Sequence, residues 1–414
     1  MGFSDNIVVL PEAVLEELDN KKRDPDPEIR ANVRWVARFM DNLRAKGKLN
    51  EGVALENGGL LRVELNCLNV SLPKSWAQSK MDNRILAVAK GKQAENKFPV
   101  VIVTKDIFLR IKADILGIPA QDYFNEQVVD LPDQYTGWEE IEVADNMISN
   151  LYAKKKIAWK HPMPNQFFIL KGKGNSALAK CVDKSLVLLN NDQPSFYSFK
   201  LDAAQRFVRE ALEDDSIPLV TISGATGSGK TMLALGVGIN KIETGYRRML
   251  ICRPTVGMGE DLGFLPGTEQ EKITPYMRPI YDNLEQLLDS SPDRYDDEKR
   301  LDSKVNYLFM SRKIVTEAIA YLQGRSLVKQ FVLIDEAQNL TPKQAKGIIT
   351  RAGEGTKIIL VGDVEQINHP YLDSRTNGLS WVIETMKGSS LYAHVCLTNT
   401  KRSKLAMEAA ERMR

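Results

Sequence analysis

The stretch 218–235, PLVTISGATGSGKTMLAL, decides the fold. It passes from an apolar run of strand length through a glycine-rich turn into a helical pattern, and the turn spells GxxxxGKT from Gly224 to Thr231. In that setting the motif is a phosphate cradle. The glycines let the backbone wrap a triphosphate, its N–H groups converge on the phosphate oxygens, and the amino end of the helix adds a favourable dipole. Gly224, Ala225, Thr226, Gly227, Ser228 and Gly229 form the loop; Lys230 is placed to reach the β and γ phosphates of ATP, and the Thr231 hydroxyl to ligate Mg2+. A flexible glycine turn is the alternative, and the flanking strand and helix argue against it.

A second apolar run, FVLIDEAQNL at 331–340, ends in two acids. A buried parallel strand delivers such carboxylates to a site at its carboxyl end. Asp335 then takes the Walker B role on Mg2+ and Glu336 polarises the attacking water, unless both acids are simply solvated. Gln338 is less expected, because phosphate transfer to a small acceptor does not call for DEAQ. A motor needs a residue that senses the γ-phosphate and reports it elsewhere, and a glutamine amide is long enough for that. The alternative is an exposed glutamine at a helix start. The next run, KIILVGDVEQI at 357–367, brings Asp363 and Gln366 beside that site in a parallel sheet. DEAQ followed by GDxxQ resembles motifs II and III of superfamily 1 helicases. Gln205, about twenty residues before the P-loop, stands where those helicases carry a glutamine that reads adenine.

Composition narrows the remaining classes. With 414 residues and 43% apolar content the chain is long enough for two to three domains with real cores. Lys and Arg number 56 against 54 Asp and Glu, so nucleic-acid binding has to come from local patches such as 154–156, 245–248 and 400–404. Cys67, Cys181, Cys252 and Cys396 form no CxxC pair, and His161, His369 and His394 are too scattered for a zinc cage. A reduced, cytoplasmic protein is expected. The start, MGFSDNIVVLPEAVLEELD, has no leader pattern, and no run approaches membrane-spanning length.

Strand-like runs at 218–224, 248–252, 331–336 and 357–363 alternate with helical segments, which predicts a parallel sheet with helices on its faces over 199–414. Residues 1–128 also alternate, and 129–198 read as a small β-rich connector. The polar stretch 289–304, which runs PDRYDDEKRLDSK from residue 292 onward, reads as a solvated loop.

The carboxyl-terminal half resembles the PhoH family. CRPTVGMGEDLGFLPGTEQEKITPYMRPIYDNL (252–284) follows its RPxVxxGExLGFLPG signature, and ITRAGEGTKIILVGDVEQI (349–367) its second block. The resemblance covers about 200–404 and implies one RecA-like ATPase core per chain, arranged as a homo-oligomeric ring, a hexamer. A lone core lacks a second lobe, so an arginine from an adjacent subunit would complete the ATP site. Arg351 and Arg402 are the candidates, with solvated surface arginines as the alternative. The chain departs from the family's RGR before the second strand, reading Gln323-Gly324-Arg325. The loop after Arg253 and Pro254 is of the kind that tracks a phosphate backbone or a neighbouring subunit.

The amino-terminal half is similar to PIN domains, on VVLPEAVLEELDNKK (8–22), MDNRILAVAKG (81–91) and VVIVTKDIFLRIKADILGIPAQDY (100–123). That resemblance implies carboxylates holding Mg2+ or Mn2+ against an RNA phosphodiester, matched here by Glu17, Asp82 and Asp106. The fourth acid belongs to a first strand that this sequence does not show, and Asp5 does not replace it. An incomplete PIN-like domain then docks RNA, is a disabled nuclease, or cuts weakly through three carboxylates. For the whole chain, three functions stay open: an ATP-driven motor on single-stranded RNA, an assembly switch or RNA-binding scaffold, and a P-loop kinase.

Overall fold

The structure, a computed structural model, describes residues 6–25, 27–56, 58–65, 70–77, 79–95, 97–122, 134–160, 163–189, 200–254, 269–289, 298–322, 325–369, 372–399 and 408. The chain divides into two compact units, 1–126 and 127–414.

In the first unit Ile7–Pro11 lies parallel to Leu60–Glu64, which pairs antiparallel with Val53–Ala54. A second parallel pair joins Ile102–Val103 to Ala120–Gln121. Parallel neighbours need crossover connections, and helices Glu12–Asn20, Pro27–Lys46, Met81–Ala94 and Ile107–Ile115 lie between these strands in sequence. Leu86, Ala89, Ile102, Leu109, Ala113 and Ile118 bury together as one core, while Leu43, Val53 and Leu61 form another. Asp5 lies outside the described residues.

The second unit is built on six parallel strands: β1 (Leu219–Gly224), β2 (Arg248–Arg253), β3 (Ile314–Ala318), β4 (Gln330–Ile334), β5 (Lys357–Gly362) and β6 (Tyr392–Leu397). Their order across the sheet is β3-β2-β4-β5-β1-β6. The four apolar runs read from sequence are the four inner strands. The edges β3 and β6 carry Thr316, Glu317 and His394, which breaks the apolar signature of a strand buried on both faces.

Six helices accompany the sheet: α1 (Ala203–Glu213), α2 (Lys230–Thr244), α3 (Glu269–Leu288), α4 (Glu298–Met310), α5 (Pro342–Ile349) and α6 (Gly378–Met386). Alternation along β4 assigns the faces. Phe331 and Leu333 join the core with α1 to α4, whereas Val332 and Ile334 join the one with α5 and α6. The stretch read as a solvated loop over 289–304 is helical from Glu298. Leu301, Val305 and Leu308 recur at helical spacing, and Val305 and Leu308 are buried against the first of these cores, a pattern hidden by the charged residues around them.

Within 129–198, read as a β-rich connector, the described residues form a five-stranded sheet in the order 138–142, 167–171, 176–182, 185–188, 156–158, with helix Asp145–Lys154 beside it. This sheet packs on the larger one. Trp138 Nε1 donates to the Cys396 carbonyl at 2.9 Å, and the rings of Phe167 and Phe207 stack at 4.9 Å. Lys180 pairs with Asp214 at the end of α1. Among the described residues no helix is long and apolar enough to cross a membrane.

The Lys180–Asp214 pair makes this packing pH-dependent. Burial alone would raise the Asp214 pKa; hydrogen bonds from Lys180 and Ser216 outweigh it and hold the carboxyl at about 2, against 3.8 for an ordinary aspartate. A depressed carboxyl stabilises the fold above its unfolded value and loses that contribution as pH falls through the folded one. Asp214→Asn is expected to cost about 2 kcal/mol at neutral pH. In denaturant titrations the gap between variant and parent should close as pH falls from about 4 to about 2; a gap independent of pH would contradict this account.

Candidate nucleotide site

The P-loop closes at the carboxyl end of β1. Gly224 sits at φ +142°, and a Cβ there would fall 2.4 Å from the Leu397 carbonyl oxygen, so the turn can begin only with glycine. The loop ends at Gly229, and Lys230 opens α2. Lys230 is 9% exposed, and its Nζ donates to the carbonyls of Gly224 at 2.7 Å and Ala225 at 3.0 Å. Burial lowers its pKa, opposed by the charges of Asp363, Asp335 and Glu336. Thr231 Oγ1 donates to Asp335 Oδ1 at 2.9 Å, joining the two residues expected at Mg2+. Asp335 is buried, and burial raises its pKa against the pull of Arg253.

Gln338 is not the exposed helix-start residue of the alternative reading: it is fully buried. Its Nε2 donates to Glu336 Oε2 at 2.5 Å and to the Gln366 carbonyl at 2.9 Å, and its Oε1 accepts from the Asp363 N–H at 3.1 Å. A Cβ at Gly362 would lie 2.3 Å from that Oε1 and 2.8 Å from Leu379, so a glycine there is what admits the amide. The network continues to the P-loop. Thr226 N–H donates to Asp363 Oδ2 at 2.9 Å and Thr226 Oγ1 to Gln366 Oε1 at 2.8 Å.

Two residues gain roles that sequence reasoning did not give them. Asn339 Oδ1 accepts from the N–H groups of Asn368 at 2.8 Å and His369 at 3.2 Å, a second staple beside Gln338. Arg253, read as the start of a backbone-tracking loop, donates to Glu336 Oε1 at 2.9 Å and to the Tyr276 carbonyl at 2.9 Å, and its Nε lies 3.5 Å from Asp335 Oδ2. An arginine ending the strand beside the acidic one was the available signal.

Gln205 is buried as the third residue of α1, in a capping box with Asp202, and its Nε2 donates to the Ser228 carbonyl at 3.1 Å. It braces the P-loop from behind. Arg351 follows α5 and its carbonyl accepts from Leu327 N–H, which places it at the amino edge of the sheet. That edge is roughly 17–20 Å from the P-loop edge, a strand length away, so Arg351 does not serve its own chain's site. Arg402 and residues 255–268 lie outside the described residues.

The residues of the site fit a nucleotide phosphate and a hard cation. Ser228 Oγ is buried within the P-loop with no hydrogen-bond partner, the kind of orphan that a phosphate oxygen satisfies. Thr231 and Asp335 offer the oxygen donors Mg2+ requires. The expected PIN metal set does not fit in this way. Glu17 is exposed, Asp82 pairs with Lys112 at 2.7 Å, and Asp106 caps Ile107–Ile115 by accepting from the N–H groups of Phe108 and Leu109. Among the described residues no group of three or more His, Cys, Asp or Glu is arranged to hold a metal ion. A cap and an ion pair have taken two of the three acids, Asp106 and Asp82, that motif matching assigned to metal.

Gly362→Ala is expected to displace Gln338 and cost about 1–3 kcal/mol through overpacking. Thermal melting of purified variants reads it, with Gly347→Ala as the control because a Cβ there meets nothing within 4 Å. Equal melting temperatures would remove the packing argument.

The family model described as PhoH-like protein matches residues 200–413, and that described as PIN domain matches 1–124. Protein PhoH2 of Bacillus subtilis (strain 168) is 41% identical over 99% of this chain and 95% of its own length. Protein PhoH2 of Mycolicibacterium smegmatis is 33% identical over 99% of this chain and 92% of its own. Among solved structures, the Pif1 helicase from Candida albicans aligns at TM-score 0.28 and 12% identity, covering 51% of this chain and 43% of that one. The chain therefore belongs to the PhoH-like family of P-loop ATPases, with a PIN domain at its amino terminus.

Proposed function

We propose that this protein hydrolyses ATP and couples the cycle to single-stranded RNA, as a superfamily 1 helicase-like motor working in a homo-oligomeric ring, a hexamer. One observation carries the coupling: the buried Gln338 amide joins Glu336 to Asp363 and Gln366, which hold Thr226 of the P-loop. A phosphate entering the loop has to draw Lys230 off the Gly224 and Ala225 carbonyls and meet the N–H groups around Ser228. Any shift of Thr226 then reaches Gln366 directly and Glu336 through Gln338. Glu336 orients the attacking water and accepts its proton, and Asp335 and Thr231 hold Mg2+. Held by those two residues, Mg2+ would supply the positive charge that offsets charge developing on the transferred phosphate.

Arg351, at the edge opposite its own P-loop, is the arginine we assign to a neighbouring subunit's site. Two of the three PIN-domain carboxylates, Asp106 and Asp82, are committed to a helix cap and an ion pair, which favours RNA docking over cutting for that unit. The cysteines among the described residues, Cys181, Cys252 and Cys396, are free, in keeping with a cytoplasmic setting.

ATP turnover by the purified protein, with and without single-stranded RNA, tests this reading. Stimulation by RNA is expected, and Lys230→Ala should lower turnover on the order of 100-fold by removing the cation at the transferred phosphate. Gln338→Ala, which frees Glu336 Oε2 and cuts its link to Gln366, should lower basal turnover and lose RNA stimulation more completely still. ATP binding with unstimulated or absent turnover would favour an assembly switch instead.

A further inference from the structure

Glu336 is held from two sides. Oε1 accepts from Arg253 Nη2 at 2.9 Å and Oε2 from Gln338 Nε2 at 2.5 Å. A water that Glu336 is to polarise must share one of these oxygens or displace its partner. The two restraints are unequal. Gln338 is fully buried, and both ends of its amide are also tied to the end of β5 and the residues beyond it. Arg253 keeps 19% of its side chain exposed and stands at the last residue of β2, with β4 and β5 between it and the P-loop strand. It takes no part in cradling phosphate. Its remaining hydrogen bond goes to the Tyr276 carbonyl, so the guanidinium links the acidic turn to α3, an element outside the sheet.

The backbone points the same way. Glu336 adopts φ +56°, a left-handed conformation that a non-glycine residue keeps only where its surroundings enforce it. Gln338, two residues on, supplies a fixed anchor for that strained turn, and Arg253 a separate hold on its side chain.

We propose that Arg253 is a positioning residue that restrains Glu336, and that turnover requires its release from Oε1 while Gln338 keeps Oε2. Glu336 then remains aimed, with one oxygen open to the attacking water. The inference rests on the reading of Glu336 as the residue that activates that water. A purely structural role for Arg253, balancing two neighbouring carboxylates, predicts the opposite effect: without it Asp335 and Glu336 repel each other, the site loosens and turnover falls.

The experiment compares kcat and KM for Mg·ATP, without RNA, in the unmutated chain, Arg253→Gln, Arg253→Lys and the double variant Arg253→Gln with Glu336→Gln. Arg253→Gln should raise kcat about three- to tenfold, a barrier change small enough for one hydrogen bond, with KM within about twofold. RNA should then stimulate it less. Arg253→Lys keeps the charge but loses the fork that spans Tyr276 and Glu336, so its kcat should fall between the two. The double variant should return to background, showing that the gain passes through Glu336. An unchanged or lowered kcat in Arg253→Gln that still binds an ATP analogue and melts like the parent overturns the restraint. Should that variant fail to fold, Arg253→Lys decides by the same criterion. Absent turnover in the unmutated chain overturns the underlying reading of Glu336 and the restraint with it; turnover present but not raised in the variants overturns the restraint alone.

Discussion

A buried side-chain amide at the end of β4 is the contact on which the rest of the site depends. Gln338 has no exposed surface, so its donors and acceptor must be satisfied within the protein. They are satisfied on two strand ends at once, by Glu336 on its own turn and by Asp363 and Gln366 beyond β5. Asp335 bonds the P-loop directly through Thr231, but Glu336, with β5 lying between β4 and β1, has no direct route to it. The amide provides one, through residues that hold Thr226. Breaking the links made by the Gln338 amide or by Asp363 would strand a buried polar group, which costs about 1–3 kcal/mol, so the strand ends these residues join are constrained to move together.

The P-loop is braced from the opposite side by α1. Gln205 holds the Ser228 carbonyl, and the far end of the same helix is fixed by Lys357, whose Nζ donates to the carbonyls of Ala211, Asp214 and Ile217. Burial pulls the Lys357 pKa down to about 7, opposed by Asp215 and Asp214, while its ammonium is satisfied by three carbonyls at and just beyond the carboxyl end of α1. Lys357 opens β5, and Asp363 follows its last residue. The loop is thus clamped between the two ends of one strand, at its tip by Asp363 and through α1 by Lys357.

Residues whose chemistry is local were legible in the sequence: Gly224 to Thr231, the acidic pair, and the four inner strands follow from spacing and apolar runs. The site's long-range contacts were not. Position in the sequence assigns Gln205 to adenine, yet a capping box and the Ser228 carbonyl occupy its amide, a choice made by tertiary packing 23 residues away. Asn339 gave no pattern at all, because its partners are backbone N–H groups 29 and 30 residues on. The amino-terminal acids matched a motif in sequence, but a carboxylate preceding a helix is also a good cap, and Asp106 serves as one. Motif matching cannot separate those uses; only the placement of Phe108 and Leu109 N–H groups does.

The same limit explains the five-stranded sheet. A run of short strands between two larger domains looks like a spacer, yet β6 is an edge strand of a parallel sheet and presents unpaired backbone groups there. Cys396 N–H donates to the Thr136 carbonyl, and the Cys396 carbonyl accepts from Trp138. Gly137 lies so close to His394 that a Cβ would fall 1.7 Å from its carbonyl oxygen, and its φ of +84° suits glycine. His394 beneath is fully enclosed, bonded to Thr221 and Ser223 of β1, with burial lowering its pKa to about 3. The small sheet therefore completes the larger one by sealing β6, the strand that flanks the P-loop strand, and its removal would uncover the edge of β6 and the buried His394 rather than merely shorten a tether.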